Sequence, residues 1–400
     1  MSAFWSQQIM AVRMDSVVNT EFDDVRPYND EEVGPVLDRL LRDREFLDVI
    51  LSFKLGAFAS LLGFALRPIL KAKLLKQAKG VTSVTSLQAL IERYLVEAVD
   101  KSVTKLSVSG LDDLDPSRSY LFVSNHRDIA MDPAIVNLAL FRKGFSTLRI
   151  AIGDNLLTKP FTSDLMRLNK CFIVNRSATA PREKLKAAKL LSKYIHYSVV
   201  NDNENTWIAQ REGRAKDGLD ITNSAVMGMI LLSRAKKQDL SEYIEEARIV
   251  PVSISYEYDP CDKDKARELY VKANEGTYEK GEHEDVDSIA KGITGGKGNV
   301  HLSFGTPLRG DLKNTDEVTK EMDRQIIHNY RLHPSNCIAY ELLEKKSPKV
   351  QVGELLTFFT EEKFSAERKI FMTRLESMDK KYRENYLHAY ANPVRAKANH

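Results

Sequence analysis

Between Tyr120 and Leu140 the chain reads YLFVSNHRDIAMDPAIVNLAL, and its chemistry is concentrated in the middle, where His126 is followed by Asp128 and Asp132. An imidazole titrates near neutrality and serves as a general base when a carboxylate holds its tautomer and stabilises the imidazolium. Either aspartate follows the histidine closely enough to turn back on it. Before them, Leu121, Phe122 and Val123 form a short apolar run suited to a buried strand. After them, Pro133 opens a helical spacing with Ile135, Leu138 and Ala139 on one face. His126 therefore stands at a strand-to-helix corner. A second cluster lies in WIAQREGRAKDG, where an apolar strand ends in Arg211, Glu212, Gly213, Arg214 and Lys216. Cations around a glycine suit a phosphate, because Arg offers paired donors and Gly lets the backbone approach. FIVNRS delivers another cation, Arg176, to a strand end, and IVPVSISYEY contains Pro251, which places that strand at an edge or a bulge. Ser124 shares a strand face with His126, but no Gly-x-Ser-x-Gly elbow accompanies it, so a hydrolase nucleophile is not indicated.

Taken in order, these four blocks resemble the glycerolipid acyltransferase family, which includes lysophosphatidic-acid, glycerol-3-phosphate and dihydroxyacetone-phosphate acyltransferases. The family pattern is an NHxxxxD block, an apolar strand ending in Arg, a PEGTRS-like block and an apolar strand carrying Val-Pro. The matching positions are Asn125, His126 and Asp132, then Phe172 to Arg176, then Glu212, Gly213 and Arg214, then Val250 with Pro251. Val300 to Leu308 resembles the strand that closes such a domain, and the likeness covers roughly residues 85 to 310. Two blocks depart from the pattern by one residue: five residues separate His126 from Asp132 instead of four, and no Thr stands between Gly213 and Arg214. Which aspartate pairs with His126, and which arginine holds the phosphate, stay open here. The Asp-Pro step opening an apolar helix favours Asp132, with Asp128 in reserve.

The resemblance implies a membrane-associated O-acyltransferase. It would move a fatty acyl group from acyl-CoA or acyl carrier protein to the hydroxyl of a glycerol-phosphate lipid, foremost 1-acylglycerol-3-phosphate, in phospholipid biosynthesis. His126 would deprotonate the hydroxyl and Asp132 orient the ring. Asn125, Arg127, Arg176, Arg211, Glu212, Gly213, Arg214 and Lys216 would hold the substrates. Amides at the helix start near Pro133 would meet the oxyanion. The expected partners are the thioester donor, the phosphate-bearing lipid acceptor and the membrane surface, without nucleic acid, metal or a cofactor beyond the acyl donor. A non-catalytic lipid-binding or scaffolding relative and a CoA-independent phospholipid transacylase are the alternatives.

The elements that must position these residues follow from periodicity. Strand-like runs at Lys105 to Val108, Tyr120 to Val123, Leu148 to Ile152, Cys171 to Val174, Thr206 to Ala209, Ile249 to Ser255 and Val300 to Phe304 alternate with helical spacings. That alternation predicts an α/β domain over 105–310, with a largely parallel mixed sheet flanked by helices. Such sheets bind ligands at the carboxyl ends of their strands. Residues 1–104 read as a helical region. It contains a helix over 30–50 and another at SLQALIERYLVEAVDKS, capped by Ser86 with Leu87, Leu90, Ile91, Tyr94, Leu95 and Val99 as its apolar stripe. Residues 261–298 read as a charged surface excursion, and 311–400 as a C-terminal helical extension in which NYRLHPSNCIAYELL is too specific for a spacer.

Composition excludes whole classes. At 43% hydrophobic and 29% charged the 400-residue chain suits a soluble fold, and a net charge of +3 gives no reason to invoke nucleic acid. Cys171, Cys261 and Cys337 are scattered, which points to a reducing compartment and away from a zinc cluster. The first 30 residues lack the basic start and apolar core of a secretory signal. From Leu51 to Gly80 the charges are all cationic (Lys54, Arg67, Lys71, Lys73, Lys76 and Lys79), and the apolar centre falls short of the roughly 20 residues a spanning helix needs. Residues 51–79 therefore read as an interfacial anchor, with Pro68 breaking its helix, or else as a core helix with a cationic end. The expected location is cytoplasmic, peripheral on the inner face of a membrane.

Overall fold

Each run expected to be a strand is one, and all seven join a single sheet. The computed structural model describes residues 20–55, 59–281 and 284–399, with the side chains of all of these except 53–55 and 59–62. The reading of the first residues as lacking a leader falls mostly on 1–19, outside the described residues, as do residues 56–58 of the interfacial segment. The strands are β1 (Val103–Ser109), β2 (Leu121–Ser124), β3 (Arg149–Gly153), β4 (Cys171–Val174), β5 (Thr206–Ala209), β6 (Ile249–Tyr256) and β7 (Gly298–Phe304). They are ordered β1-β7-β6-β2-β5-β3-β4. The strands from β6 to β4 are parallel, β7 is antiparallel to β6, and β1 pairs in parallel with β7. Strand β2 is apolar from Leu121 to Val123 because it is buried on both faces. Phe122 packs with Ile135, Trp207 and Leu302 on one side, while Leu121 and Val123 pack with Phe172, Tyr194 and Ile208 on the other.

Ahead of the sheet come α1 (Asp30–Arg42), α2 (Arg44–Leu55), α3 (Ala59–Ala78) and α4 (Val84–Ser102). Between strands lie α5 (Met131–Arg142), α6 (Pro160–Leu168), α7 (Pro181–Val200), α8 (Ser224–Ile230), α9 (Leu240–Ala247), α10 (Asp262–Glu275) and α11 (Glu284–Thr294). After it come α12 (Thr315–Asn329), α13 (Pro334–Glu344), the short hairpin β8 (Gln351–Val352) and β9 (Thr357–Phe358), α14 (Ser365–Glu376) and α15 (Arg383–Asn399). One face of the sheet is covered by α4 and α5, the other by α7, α8, α9 and α12. The expected α/β class, with helices before and after the sheet, is the observed one.

Several local expectations are corrected. The helix expected over 30–50 is two helices, because Asp43 is extended and ends α1. Pro68 does not break α3. It and Phe64, whose carbonyl it leaves without a donor, are both exposed, so the lost bond lies on the solvent side of the helix. The cap of α4 is Ser83, not Ser86. Ser83 Oγ accepts from the Ser86 amide at 3.1 Å and Ser86 Oγ accepts from the Ser83 amide at 3.0 Å, a reciprocal box. Pro251 sits in a central strand rather than at an edge or bulge. It is tolerated because pairing with β7 begins only at Val252 opposite Phe304, so no ladder bond is asked of the missing N–H, while the Pro251 carbonyl accepts from Gly305.

The charged stretch after Cys261 is not a surface excursion. It forms α10, which buries Asp262, Lys265, Ala266 and Glu268, and α11. Packing also does not divide at residue 310. Helix α12 covers the sheet through Val318, Met322 and Ile326, whereas α10 and α13 to α15 share a separate core around Tyr258, Ile338, Phe371 and Tyr386.

Gly218, which follows the Arg211 to Lys216 cluster, joins that core to the sheet. Its φ is +79°, and a Cβ there would overlap the carbonyl of Ala389 on α15. Gly218→Ala is expected to destabilise by more than about 1 kcal/mol. Urea unfolding should show this as a lower midpoint at unchanged slope.

Candidate active site

The corner after β2 is built around one carboxylate. Asp132, fully buried in the first turn of α5, accepts from His126 Nδ1 at 2.9 Å, from the Arg127 amide at 2.6 Å and from the Asp128 amide at 2.9 Å through Oδ2. Its Oδ1 accepts from the Tyr256 hydroxyl at 2.7 Å. Burial and the charge of Asp132 hold the Tyr256 phenol well above its ordinary range, so it stays a donor at neutral pH. A carboxylate offers only lone pairs, so Nδ1 of His126 carries the proton and Nε2 is left as the acceptor nitrogen. The ring lies edge-on to Trp207, with centroids 5.8 Å apart. This settles the pairing left open by spacing. The extra residue is absorbed in a turn where Asp128 Oδ1 accepts from the Ala130 and Met131 amides at 3.0 and 2.9 Å. Asp128 is thus a turn-former rather than the partner of His126, and burial beside Asp132 pushes its carboxyl up.

His126 faces a cavity of about 1400 Å³ that runs along the carboxyl ends of β3, β4 and β5. Arg176, Arg211, Glu212, Gly213, Arg214 and Lys216 line this same cavity, so the structure brings together blocks that are far apart in the chain. Gly213 is left-handed with φ +72°. Arg176 lies 3.6 Å from Glu212, and its amide donates to Asp154 at 3.1 Å. Arg214 donates to Ser288 on α11 at 3.3 Å and keeps a buried Nη1 without a hydrogen-bond partner. Lys216 is the weakest of the expected phosphate ligands. It pairs with Glu268, and burial lowers its pKa against that carboxylate's pull.

Three expectations are not met. Asn125 is fully buried off the cavity, donating to Asp220 at 3.0 Å and to the Ile254 carbonyl at 2.9 Å while accepting from the Ile254 amide at 2.7 Å. It staples β2 to β6 and does not reach a substrate. Arg127 also points away from the cavity and pairs with Asp220 at 2.6 Å. Four amides leading into the helix are not available to an oxyanion, since those of Arg127 and Asp128 are bound to Asp132 and those of Ala130 and Met131 to Asp128. Ser124 is inert as well: fully buried, it accepts from Trp207 Nε1 at 3.0 Å and donates to the Asn125 carbonyl at 2.8 Å.

Sequence reading missed several contributors. Tyr256 carries no local signal, being 124 residues from the carboxylate it holds. The middle of the α4 stripe, Ile91, Tyr94 and Leu95, also forms a wall of the cavity, and Met131, Met166, Val226 and Met229 extend the apolar lining. Lys184 on α7 adds a cation to the same space.

Residues 105–255 match the family model described as Acyltransferase. Among solved structures, the 1-acyl-sn-glycerophosphate acyltransferase PlsC from Thermotoga maritima aligns over 71% of this chain and 95% of its own, at 16% identity and a TM-score of 0.34. No curated protein sequence matches the chain. The expectation of family drawn from the four blocks agrees with the family model.

Tyr256→Phe leaves one oxygen of a buried carboxylate without its donor. It should cost about 1–3 kcal/mol in urea unfolding, and a cost near zero would mean that the Asp132 cage is not under that demand.

Proposed function

Because residues 105–255 are an acyltransferase-family domain, we propose that the protein is a membrane-associated O-acyltransferase acting on a glycerol-phosphate lipid, foremost 1-acylglycerol-3-phosphate, in phospholipid biosynthesis. The observation that carries this reading is the His126 ring, held through Nδ1 by Asp132 and facing a cavity that Arg176, Arg211 and Arg214 also line. Nε2 takes the proton of the acceptor hydroxyl as its oxygen attacks the thioester carbonyl of acyl-CoA or acyl carrier protein. The tetrahedral adduct collapses with loss of the thiolate, which takes the proton from the imidazolium and leaves as free thiol. Asp132 holds the ring throughout and stabilises the imidazolium. No acyl-enzyme and no cofactor beyond the thioester are needed.

The guanidinium groups grip the acceptor phosphate and place its hydroxyl at the base, a positioning effect that lowers the barrier by several kcal/mol. The size of the cavity supports a large substrate, since about 1400 Å³ exceeds the roughly 300–1,000 Å³ of ordinary small-molecule sites. Its apolar lining from α4 and α8 suits acyl chains.

Supply of such a substrate favours a membrane surface. Helices α2 and α3 bury Leu47, Leu51 and Leu70 together but leave Phe64 87% and Ile69 65% exposed beside Lys71, Lys73 and Lys76. Exposed apolar groups next to cations suit the acyl zone and anionic headgroups of an inner leaflet. Of the cations in that segment Arg67 is already paired with Asp48. No helix among the described residues is long and apolar enough to cross a membrane, which fits a peripheral mode of association.

The test is a mass-spectrometric product assay with mixed lysophospholipid acceptors and acyl donors, together with free-thiol release. His126→Ala should lower turnover by on the order of 10²–10⁴-fold while the protein stays folded. Wild-type turnover in that variant would remove His126 from the mechanism.

A further inference from the structure

Arg127 follows the base directly, yet its side chain does not line the substrate cavity. It is pinned at three places. Its amide donates to Asp132, as described above, and its carbonyl accepts from Lys265 Nζ at 2.6 Å. Its guanidinium donates to Asp220 at 2.6 Å and to the Gly218 carbonyl at 3.3 Å, and stacks 5.4 Å from the centre of the Tyr330 ring. Burial works against that charge, but Asp220, with Tyr330 and Asp259, more than offsets it, so the cation is held.

The groups that pin Arg127 are tied in turn to helices beyond the matched domain. Lys265 on α10 pairs with Asp259, whose amide donates to the Tyr390 hydroxyl on α15 at 2.9 Å. Tyr390 donates to Asp262 at 2.9 Å, and its carbonyl accepts from Asn336 on α13 at 2.9 Å. Asn392 donates to the Asp217 carbonyl at 2.8 Å, next to the Gly218 contact. Arg127, Lys265, Asp259, Tyr330 and Tyr390 line a space of about 20 Å³, room for about one water.

We infer that Arg127 is a positioning residue for the His126–Asp132 pair, and that α10, α13 and α15 form a clamp that fixes the catalytic corner through Lys265, Asp259 and Tyr390. The inference rests on the reading of His126 as the base. Residue 127 supplies both the peptide that follows the base and one of the amides that seat the carboxylate. A small displacement there separates Nε2 from its hydroxyl without touching either substrate.

Steady-state kinetics on the full chain test this. Arg127→Lys should lower kcat roughly ten- to hundredfold with each KM changed less than about threefold. Tyr390→Phe, which removes one hydroxyl outside the matched domain, should lower kcat roughly three- to tenfold in the same pattern, and it carries the test if the Arg127 variant fails to fold. In a His126→Ala background, adding Arg127→Lys should change the residual rate less than about twofold, because there is no base left to position. A raised acceptor KM at unchanged kcat would make Arg127 a substrate ligand and overturn the inference, as would wild-type kcat in the folded variants. Wild-type turnover in His126→Ala alone would instead defeat the proposed function, so the two failures are distinct.

Discussion

A fully buried carboxylate must be surrounded by donors, and Asp132 is the point from which the functional geometry of this protein is set. Removing such a group from water costs several kcal/mol, while each hydrogen bond to it is worth about 1.5–3 kcal/mol. With four donors the balance is favourable, and those donors come from α5's own approach, from β6 and from His126. The requirement therefore fixes three things together: the turn after β2, the depth of Tyr256, and the tautomer of His126. Chemistry and folding stability share one set of bonds at this corner.

From that corner the sheet does the remaining placement. Strands β3, β4 and β5 run parallel to β2, so the loops that leave their carboxyl ends open on one side, and the arginines they carry reach one cavity. The loop after β5 is locked to the corner by the Ala215 amide, which donates to the His126 carbonyl at 2.7 Å. The cavity's apolar walls are drawn from helices on both faces of the sheet, from α4 on one and α7 and α8 on the other. A charged mouth between two apolar walls is a suitable container for a molecule with a phosphate and long chains.

Much of this was legible in the chain, for physical reasons. Strands buried on both faces read as unbroken apolar runs, and the cations at their ends had no core role to play, so Arg176, Arg211 and Arg214 stood out. What failed was inference from a single residue type. Pro251 suggested an edge because a central strand ordinarily needs every N–H, yet its neighbour β7 stops just short of it. Pro68 suggested a break, yet its helix is exposed where the bond is lost. Arg127 and Asn125 flank His126 in sequence, but alternation along the chain turns them toward Asp220 and Tyr330 and toward β6 instead of the cavity. Tyr256 and the clamp from α15 are long-range partners with no local pattern, and only the fold brings them to Asp132 and Arg127.

The central claim is that the buried carboxylate holds the imidazole with its proton on Nδ1 and leaves Nε2 as the basic nitrogen. Nitrogen-15 NMR of the histidines, with His126 assigned by its loss in His126→Ala, measures this directly. The account requires a protonated, strongly hydrogen-bonded Nδ1 and an unprotonated Nε2 in the neutral ring. A neutral ring protonated on Nε2 would contradict it.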